Sequence, residues 1–473
     1  MSKVVKSLLL SIISFSLYAQ AQIPVQAQAL QETWDNLKSQ PQALKNALQL
    51  MPKGADLHCH ASGATSTENL IHIAESNDYC IDENLAIHET RHSGQCQIGL
   101  PTKAFFSQPA HRKAALRAWS MADFKESAKE DGKAHFFNTF GKFTPLVHRH
   151  WPEIIADVRH QAALENIQYL ELMLDMNGTK PQAEKEYAFD DMKTLVTRSD
   201  IQAFMTHNRQ FFSQLKTKVD AISTKESKQV GLAWILEIKR NQVFAQFALD
   251  AYEVFSIASQ VPDIVAINMV EAEYGQYANP DYERQMQWLS RLHQEFPNVH
   301  IVLHAGEVPK TVALSHTKGN IAEALKYASP LRIGHGLTIL LEPEFKQSLN
   351  TMKEKKIAVE INLTSNDEIL GVKGQEHPVQ AYLKHEVPIV LSSDDPGVSR
   401  NHLSDEYFRA VYEQHFSLQQ ILQVNRNSLT YNLLPGASIW KNADKLEFVP
   451  ECQNFYSKLC QVYIKNNPKA KQQ

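Results

Sequence analysis

The chain has no glycine-rich phosphate loop, no short internal repeat and no low-complexity tract, so a nucleoside-triphosphate reading has nothing to rest on. It also lacks an excess of positive charge. Its 48 Lys and Arg stand against 52 Asp and Glu, a net charge of −4, which removes the electrostatic footprint of a nucleic-acid binder or a polybasic membrane surface. The apolar run from Leu8 to Leu17 falls short of the roughly 20 residues that a bilayer-spanning helix needs.

That short run has another use. Lys3 and Lys6 precede it and Ala19-Gln20-Ala21 follows it as a small-x-small site, the three-part design of a secretory signal peptide over residues 1–21. The sequence therefore predicts export, to the periplasm or beyond the cell, with no stable membrane insertion after cleavage. Export makes the five cysteines readable. Cys80 and Cys96 flank a polar segment and Cys452 and Cys460 lie close together, so each reads as a pair. Closing the first loop is worth about 3 kcal/mol in the chain-entropy model. Cys59 is left as a buried, inert thiol.

At 473 residues with 43% hydrophobic side chains the chain can bury a large core; length suggests two or three domains, although α/β barrels run longer as one unit. Residues 22–50 read as a helical lead-in. Residues 62–165 form a polar, cysteine-bracketed insertion, helical around Ala110 to Lys129 and without strands, and residues 441–473 read as a C-terminal helical extension.

Between these, apolar runs rich in strand formers recur at Ile167-Met176, Val230-Ile238, Ile264-Val270, Val299-His304, Leu331-Gly334, Ile357-Leu363 and Pro388-Ser392. The last six begin 26 to 35 residues apart, close to the roughly 31 per unit of a (β/α)8 barrel. Helical patterns separate them, as at Arg284-Leu292, where Trp288, Leu289 and Leu292 share a face. Ser417-Leu418-Gln419-Gln420 resembles a capping box. With the strand Asp56-His60 there are eight candidates whose continuous apolar runs suit a parallel sheet. A (β/α)8 barrel over residues 51–440 is the economical reading, and a doubly wound open sheet is the alternative.

In a barrel, chemistry gathers at the C-terminal ends of the strands. The first strand ends His58-Cys59-His60, with both imidazoles on one face by alternation; a bare His-x-His is more often a pair of core histidines. The later ends read His304-Ala305-Gly306-Glu307, Arg332-Ile333-Gly334-His335-Gly336, Asn362-Leu363-Thr364-Ser365-Asn366 and Ser392-Ser393-Asp394-Asp395-Pro396. Polar capping explains one or two such ends but not the set. His58, His60, His304 and Asp394 make a three-histidine, one-carboxylate donor set suited to a borderline cation such as zinc, with water completing it. A cation there brings the pKa of that water toward about 7. Glu307 can then act as general acid or base, His335 can orient or deprotonate the water, and Asp395 can receive a hydrogen bond from substrate.

These motifs, with Met51-Pro52-Lys53-Gly54 before the His-x-His, resemble the adenosine deaminase family over roughly residues 50 to 435. The signal peptide, the cysteine-bracketed insertion and His377-Pro378-Val379 are similar to its secreted adenosine deaminase growth factor branch. The resemblance implies a mononuclear zinc hydrolase, one Zn2+ per chain held by His58, His60, His304 and Asp394. Glu307 would protonate purine N1 as hydroxide attacks C6, His335 would steer the hydroxide and Asp395 would contact N7, releasing ammonia and leaving inosine. Two positions depart from the family: Ser62 stands where many members carry a ribose-contacting acid, and Glu271 where the fourth strand ends in a Gly that meets purine N3, unless Gly275 marks the true register. The same chemistry on another aminated purine, a nucleotide or a pterin is therefore the alternative, and a non-catalytic, growth-factor-like nucleoside binder a third reading. The 22–50 lead-in and the 80–96 segment are candidate dimer surfaces.

Overall fold

The computed structural model describes residues 32–434 apart from 91–94, 128–129, 310–311 and 313–318, together with the backbone of two short strands at 440–442 and 447–448. The signal peptide and the Cys452–Cys460 pair lie outside the described residues.

Eight parallel strands follow one another around a barrel: β1 (Lys53–His60), β2 (Ile167–Leu174), β3 (Gly231–Lys239), β4 (Ile264–Val270), β5 (His300–Ala305), β6 (Arg332–His335), β7 (Ala358–Ile361) and β8 (Ile389–Leu391). Each pairs with its successor. The first and last segments also meet, since His60 N–H donates to Asp394 O at 2.8 Å and Asp394 N–H to His58 O at 3.0 Å. That contact removes the free edges of an open doubly wound sheet. Each strand is buried on both faces, which is why it reads as an apolar run.

Inside the barrel Ala55, Leu57, Met173, Ile235, Val302 and Val390 form one apolar layer, and Tyr431, Leu433 and Leu434 pack against it from the N-terminal end of the strands. β1 does not alternate evenly. Ala55 and Leu57 belong to the inner layer and Cys59 to the outer core, and the pairing with β2 shifts between Asp56 and Cys59. This irregularity, of the kind a bulge produces, lets Leu57, His58 and His60 all face inward. Cys59 is a free, buried thiol on the outer side.

Of the outer helices, Phe244–Ala258 is buried along its whole length, and Ala278–Glu295 buries Trp288, Leu289 and Leu292 together. Ser417 opens Leu418–Thr430 with the expected capping box. No helix among the described residues is long and apolar enough to cross a membrane.

The insertion differs from the sequence-based expectation. It contains a three-stranded antiparallel sheet, with Tyr79–Ile81 between Ile87–Glu89 and Leu100–Pro101. These strands are too short to show alternation. A disulfide joins Cys80 to Cys96, Cα atoms 5.6 Å apart. The helix expected from Ala110 to Lys129 runs instead over Pro109–Ala118. It stops there because Trp119 turns its indole N–H to Leu85 O at 2.7 Å and Met121 N–H bonds Val398 O at 2.7 Å. Two further helices, Gly132–Arg149 and Trp151–Leu164, bring the chain back to β2. In the 441–473 stretch the described part is not helical: Trp440–Asn442 pairs antiparallel with Glu447–Phe448.

Glu253 is the costly residue of the buried helix. It is 1% exposed, its Oε1 has no hydrogen-bond partner, and burial, aided by Asp250, pushes its pKa from 4.5 up to about 9. The folded protein keeps a proton that the unfolded chain sheds, so stability falls as pH climbs from about 4.5 toward about 9. Glu253→Gln is expected to raise the Tm at pH 8, with the gain vanishing near pH 4, as read by calorimetry across pH. A gain that does not depend on pH rejects this account.

Candidate active site

The C-terminal ends of β1, β5 and β6 and the segment after β8 bring His58, His60, His304, His335 and Asp394 to one mouth. Three of the strand-end residues hold left-handed backbone, Glu271 at φ +76°, His335 at +62° and Asp394 at +63°. None is glycine, and such conformations cost about 1–3 kcal/mol each. At His335 and Asp394 the turn brings the side chain to the mouth.

His60 Nε2 lies 3.2 Å from His304 Nε2, and Asp394 Oδ1 lies 3.3 Å from His58 Nε2 and 3.5 Å from His60 Nε2. The four ligand atoms fall within 4.8 Å of one another. The opposite ring nitrogens each face an acceptor. His58 Nδ1 is 2.6 Å from Glu360 Oε2, His60 Nδ1 is 2.8 Å from Glu237 Oε1 and His304 Nδ1 is 3.0 Å from Asn268 Oδ1. The Asn268 oxygen is identified by the His304 backbone N–H that it also accepts, at 2.9 Å. With their protons on Nδ1, three neutral imidazoles aim lone pairs at one point beside a carboxylate oxygen. His58 Nε2 is buried without a hydrogen-bond partner. Converging acceptors of this kind repel one another unless a cation lies among them, so His58, His60, His304 and Asp394 fit a divalent metal ion.

The ionisable groups around them are pulled apart. Burial opposes ionisation of Asp394, yet its interaction with His58 first, then His335 and His60, holds it well below the usual carboxylate range. Burial drives Asp395 the other way, against the pull of His60 and with help from Asp394. Burial, then repulsion from Asp394 and Glu273, pushes Glu307 up to about 8. Its backbone N–H bonds Glu273 Oε1 at 2.8 Å, which aims the side chain toward His335, 3.9 Å from its Nε2. His335 is neutral, lowered to about 3 by burial. An anionic ligand group beside two protonated carboxyls is a pattern of separated acid–base roles.

All nine residues singled out by sequence border one cavity of about 370 Å3 except His58, which lies beneath it, within the range of small-molecule sites. Asp395 Oδ1 is buried there without a partner. It fits because residue 63 is glycine: a Cβ at Gly63 would stand 1.9 Å from that oxygen. Ser62 sits in the short helix Ala61–Ala64 at the cavity wall. Glu271 occupies the left-handed position where glycine is favoured, but its Oε2 is turned outward to accept Asn241 N–H at 3.1 Å. Gly275 packs instead against the Asn241 side chain.

Sequence reasoning missed the opposite wall. Phe136, Phe140 and Phe143 of Gly132–Arg149, with Trp151, form an apolar face over the cavity. Their spacing of four and three residues is also that of any core-facing helix, so sequence carried no separate signal. Glu237 and Glu360 were legible in principle, because a lone carboxylate inside an apolar strand demands a partner.

Compared with known proteins, the adenosine deaminase family profile matches residues 223–446. An adenosine deaminase of Clostridium kluyveri is 21% identical over 393 residues, 82% of this chain and 90% of that protein. Other curated adenosine deaminases align over 39–53% of their own length. Among solved structures, the N6-methyl-AMP deaminase from Arabidopsis thaliana has a TM-score of 0.55 at 18% identity, covering 90% of this chain and 99% of that one. An amidohydrolase from Burkhoderia ambifaria with bound zinc has a TM-score of 0.53 at 14% identity, covering 85% and 89%. These two likenesses establish the fold.

Glu360→Gln keeps the shape behind His58 but removes the charge that holds its Nδ1 proton. It is expected to weaken divalent-cation binding about 10- to 100-fold, measured by chelator competition with Zn2+. Unchanged affinity would mean that Glu360 only balances charge in the core.

Proposed function

Because the chain belongs to the adenosine deaminase family of hydrolases acting on C–N bonds, we propose that it deaminates adenosine to inosine and ammonia with one zinc ion per chain. The observation that carries this reading is the convergence of a four-residue ligand set and a carboxyl protonated at neutral pH on one purine-sized cavity.

A zinc ion held by His58, His60, His304 and Asp394 would bring the pKa of a water there toward about 7. Glu307 then serves as the acid. Its carboxyl, protonated up to about pH 8, gives its proton to N1 of the purine as oxygen adds at C6, which lets the ring accept the electron pair. The C6–N bond then breaks, the proton of the added oxygen passes to the departing nitrogen, and ammonia leaves as a carbonyl forms at C6. Asp395 has a raised pKa and an unpartnered Oδ1, so its protonated carboxyl donates to N7. Phe136, Phe140 and Phe143 supply the apolar wall for a flat base and keep water from it. The N-terminal pattern and the Cys80–Cys96 disulfide support action outside the cytoplasm.

A second reading keeps the chemistry and changes the substrate to another aminated purine or its nucleotide. It is favoured by Ser62 where the family acid would meet ribose, and by Glu271 at the end of β4.

Both are tested by ultraviolet-monitored turnover of adenosine, adenine, AMP and N6-methyl-AMP with metal-analysed protein. Expected are stoichiometric zinc, a preference for adenosine, and a fall in kcat of about 10²- to 10⁴-fold in Glu307→Gln. Zinc-free protein with full turnover rejects the first reading, and preference for a nucleotide or free base moves the assignment to the second.

A further inference from the structure

His377 belongs to the His377-Pro378-Val379 motif, yet it lies behind the cavity wall, 2% exposed, and the proposed chemistry gives it no task. Its hydrogen bonds do. Val379 N–H can only donate, and it donates to His377 Nδ1 at 3.2 Å. His377, neutral in its buried site, must then carry its proton on Nε2, which lies 3.0 Å from Asn366 Oδ1. With the amide oxygen occupied in this way, Asn366 Nδ2 faces His335 Nδ1 at 2.8 Å and donates to it. Neutral His335 is left with its proton on Nε2, the nitrogen that faces the cavity 3.9 Å from both Glu307 Oε1 and Asp394 Oδ2. One backbone N–H thus settles two tautomers and one amide orientation in series.

We infer that Asn366 and His377 are positioning residues that lock His335 in its Nε2–H tautomer, so that His335 works in the cavity as a hydrogen-bond donor to the oxygen arriving at C6 and not as the base that deprotonates it. Asn362 Nδ2 lies 3.4 Å from His335 Nε2 and its Oδ1 is buried with no partner; an Nε2–H ring calls for the opposite amide orientation, with that oxygen toward the ring, so the Asn362 amide direction is part of the test. The relay is buried throughout, Asn362 and Asn366 at 1% exposure and His335 at 1%, so water offers no alternative partner. The inference rests on the deaminase reading for its last step, the donor role, and on geometry alone for the tautomer.

Two experiments separate these. Neutron diffraction from perdeuterated wild-type protein reads the tautomer without turnover. Deuterium is expected on Nε2 of both His377 and His335, with Asn362 oxygen toward His335, and deuterium on Nδ1 of either ring overturns the relay. In the second, Asn366→Asp replaces the amide by a carboxylate that only accepts, forcing the His335 proton onto Nδ1 and leaving a lone pair in the cavity. The wrong tautomer of a catalytic histidine costs up to about 10⁴-fold in kcat. A loss of about 10²-fold or more is expected, with KM and zinc content little changed. His377→Leu is expected to show a smaller loss of the same kind, and His377→Gln, whose amide N–H replaces the Nε2–H donor, to recover most of it; a purely structural role would leave the two variants alike. Asn366→Asp with kcat within about tenfold of wild type overturns the donor role. Deuterium on both Nε2 atoms in a protein that turns over no purine overturns the deaminase reading and the donor role with it, and leaves the tautomer lock standing.

Discussion

The structure depends on a buried charge, Arg332, at the start of β6. Its guanidinium is 0% exposed, and a cation in that position is tolerable only with anions in direct contact. Arg332 Nε donates to Glu360 Oε1 at 2.5 Å and Nη2 to Glu171 Oε2 at 2.6 Å, and Nη1 reaches Tyr431 O at 2.8 Å. Glu171 in turn accepts Leu433 N–H at 2.5 Å. The same carboxylate that neutralises Arg332 uses its second oxygen to hold His58 Nδ1. Two carboxylates around one guanidinium leave an excess negative charge, and that excess faces the ligand cluster through His58. The barrel core, the segment that closes its N-terminal end and the candidate metal site therefore share one electrostatic unit.

This sharing explains which features were legible in the sequence. The eight strands were readable because a parallel strand buried on both faces must be apolar throughout, and the ligand set was readable because histidines and carboxylates at the ends of such runs have few other reasons to recur. The irregular register of β1 was not. Strict alternation would put Leu57 with Cys59, whereas the shift after Asp56 lets Leu57 join the inner layer with both histidines inward. The insertion was least legible. Strands of two or three residues have no period to detect, the helix at Pro109–Ala118 ends on tertiary hydrogen bonds to Leu85 and Val398, and the phenylalanines of Gly132–Arg149 become a cavity wall only once the helix is laid across the barrel.

Positions 62 and 271 show a different limit. A residue can differ from the glycine of a family pattern and still hold a backbone conformation that favours glycine. Glu271 holds left-handed backbone at φ +76°, which glycine would adopt without cost, and its Oε2 accepts Asn241 N–H while the residue still borders the cavity. Gly63 is the reverse case, where the side chain is absent because Asp395 needs the volume.

The four histidines of the site finally differ in what stands behind each ring. His58, His60 and His304 have acceptors at Nδ1, namely Glu360, Glu237 and Asn268, and so turn bare Nε2 lone pairs inward. His335 has a donor at Nδ1, the Asn366 amide, and so turns an N–H inward. Chemically identical rings at neighbouring strand ends thus turn opposite groups inward, a bare lone pair or an N–H, according to the residue that stands behind each ring. Two of these outer residues are asparagines, whose amide could face either way, and in both cases a backbone N–H settles the direction: His304 N–H on Asn268, and Val379 N–H through His377 on Asn366. Main-chain hydrogen bonds cannot be reversed by rotating a side chain, so the division of labour among the histidines is anchored in the fold itself.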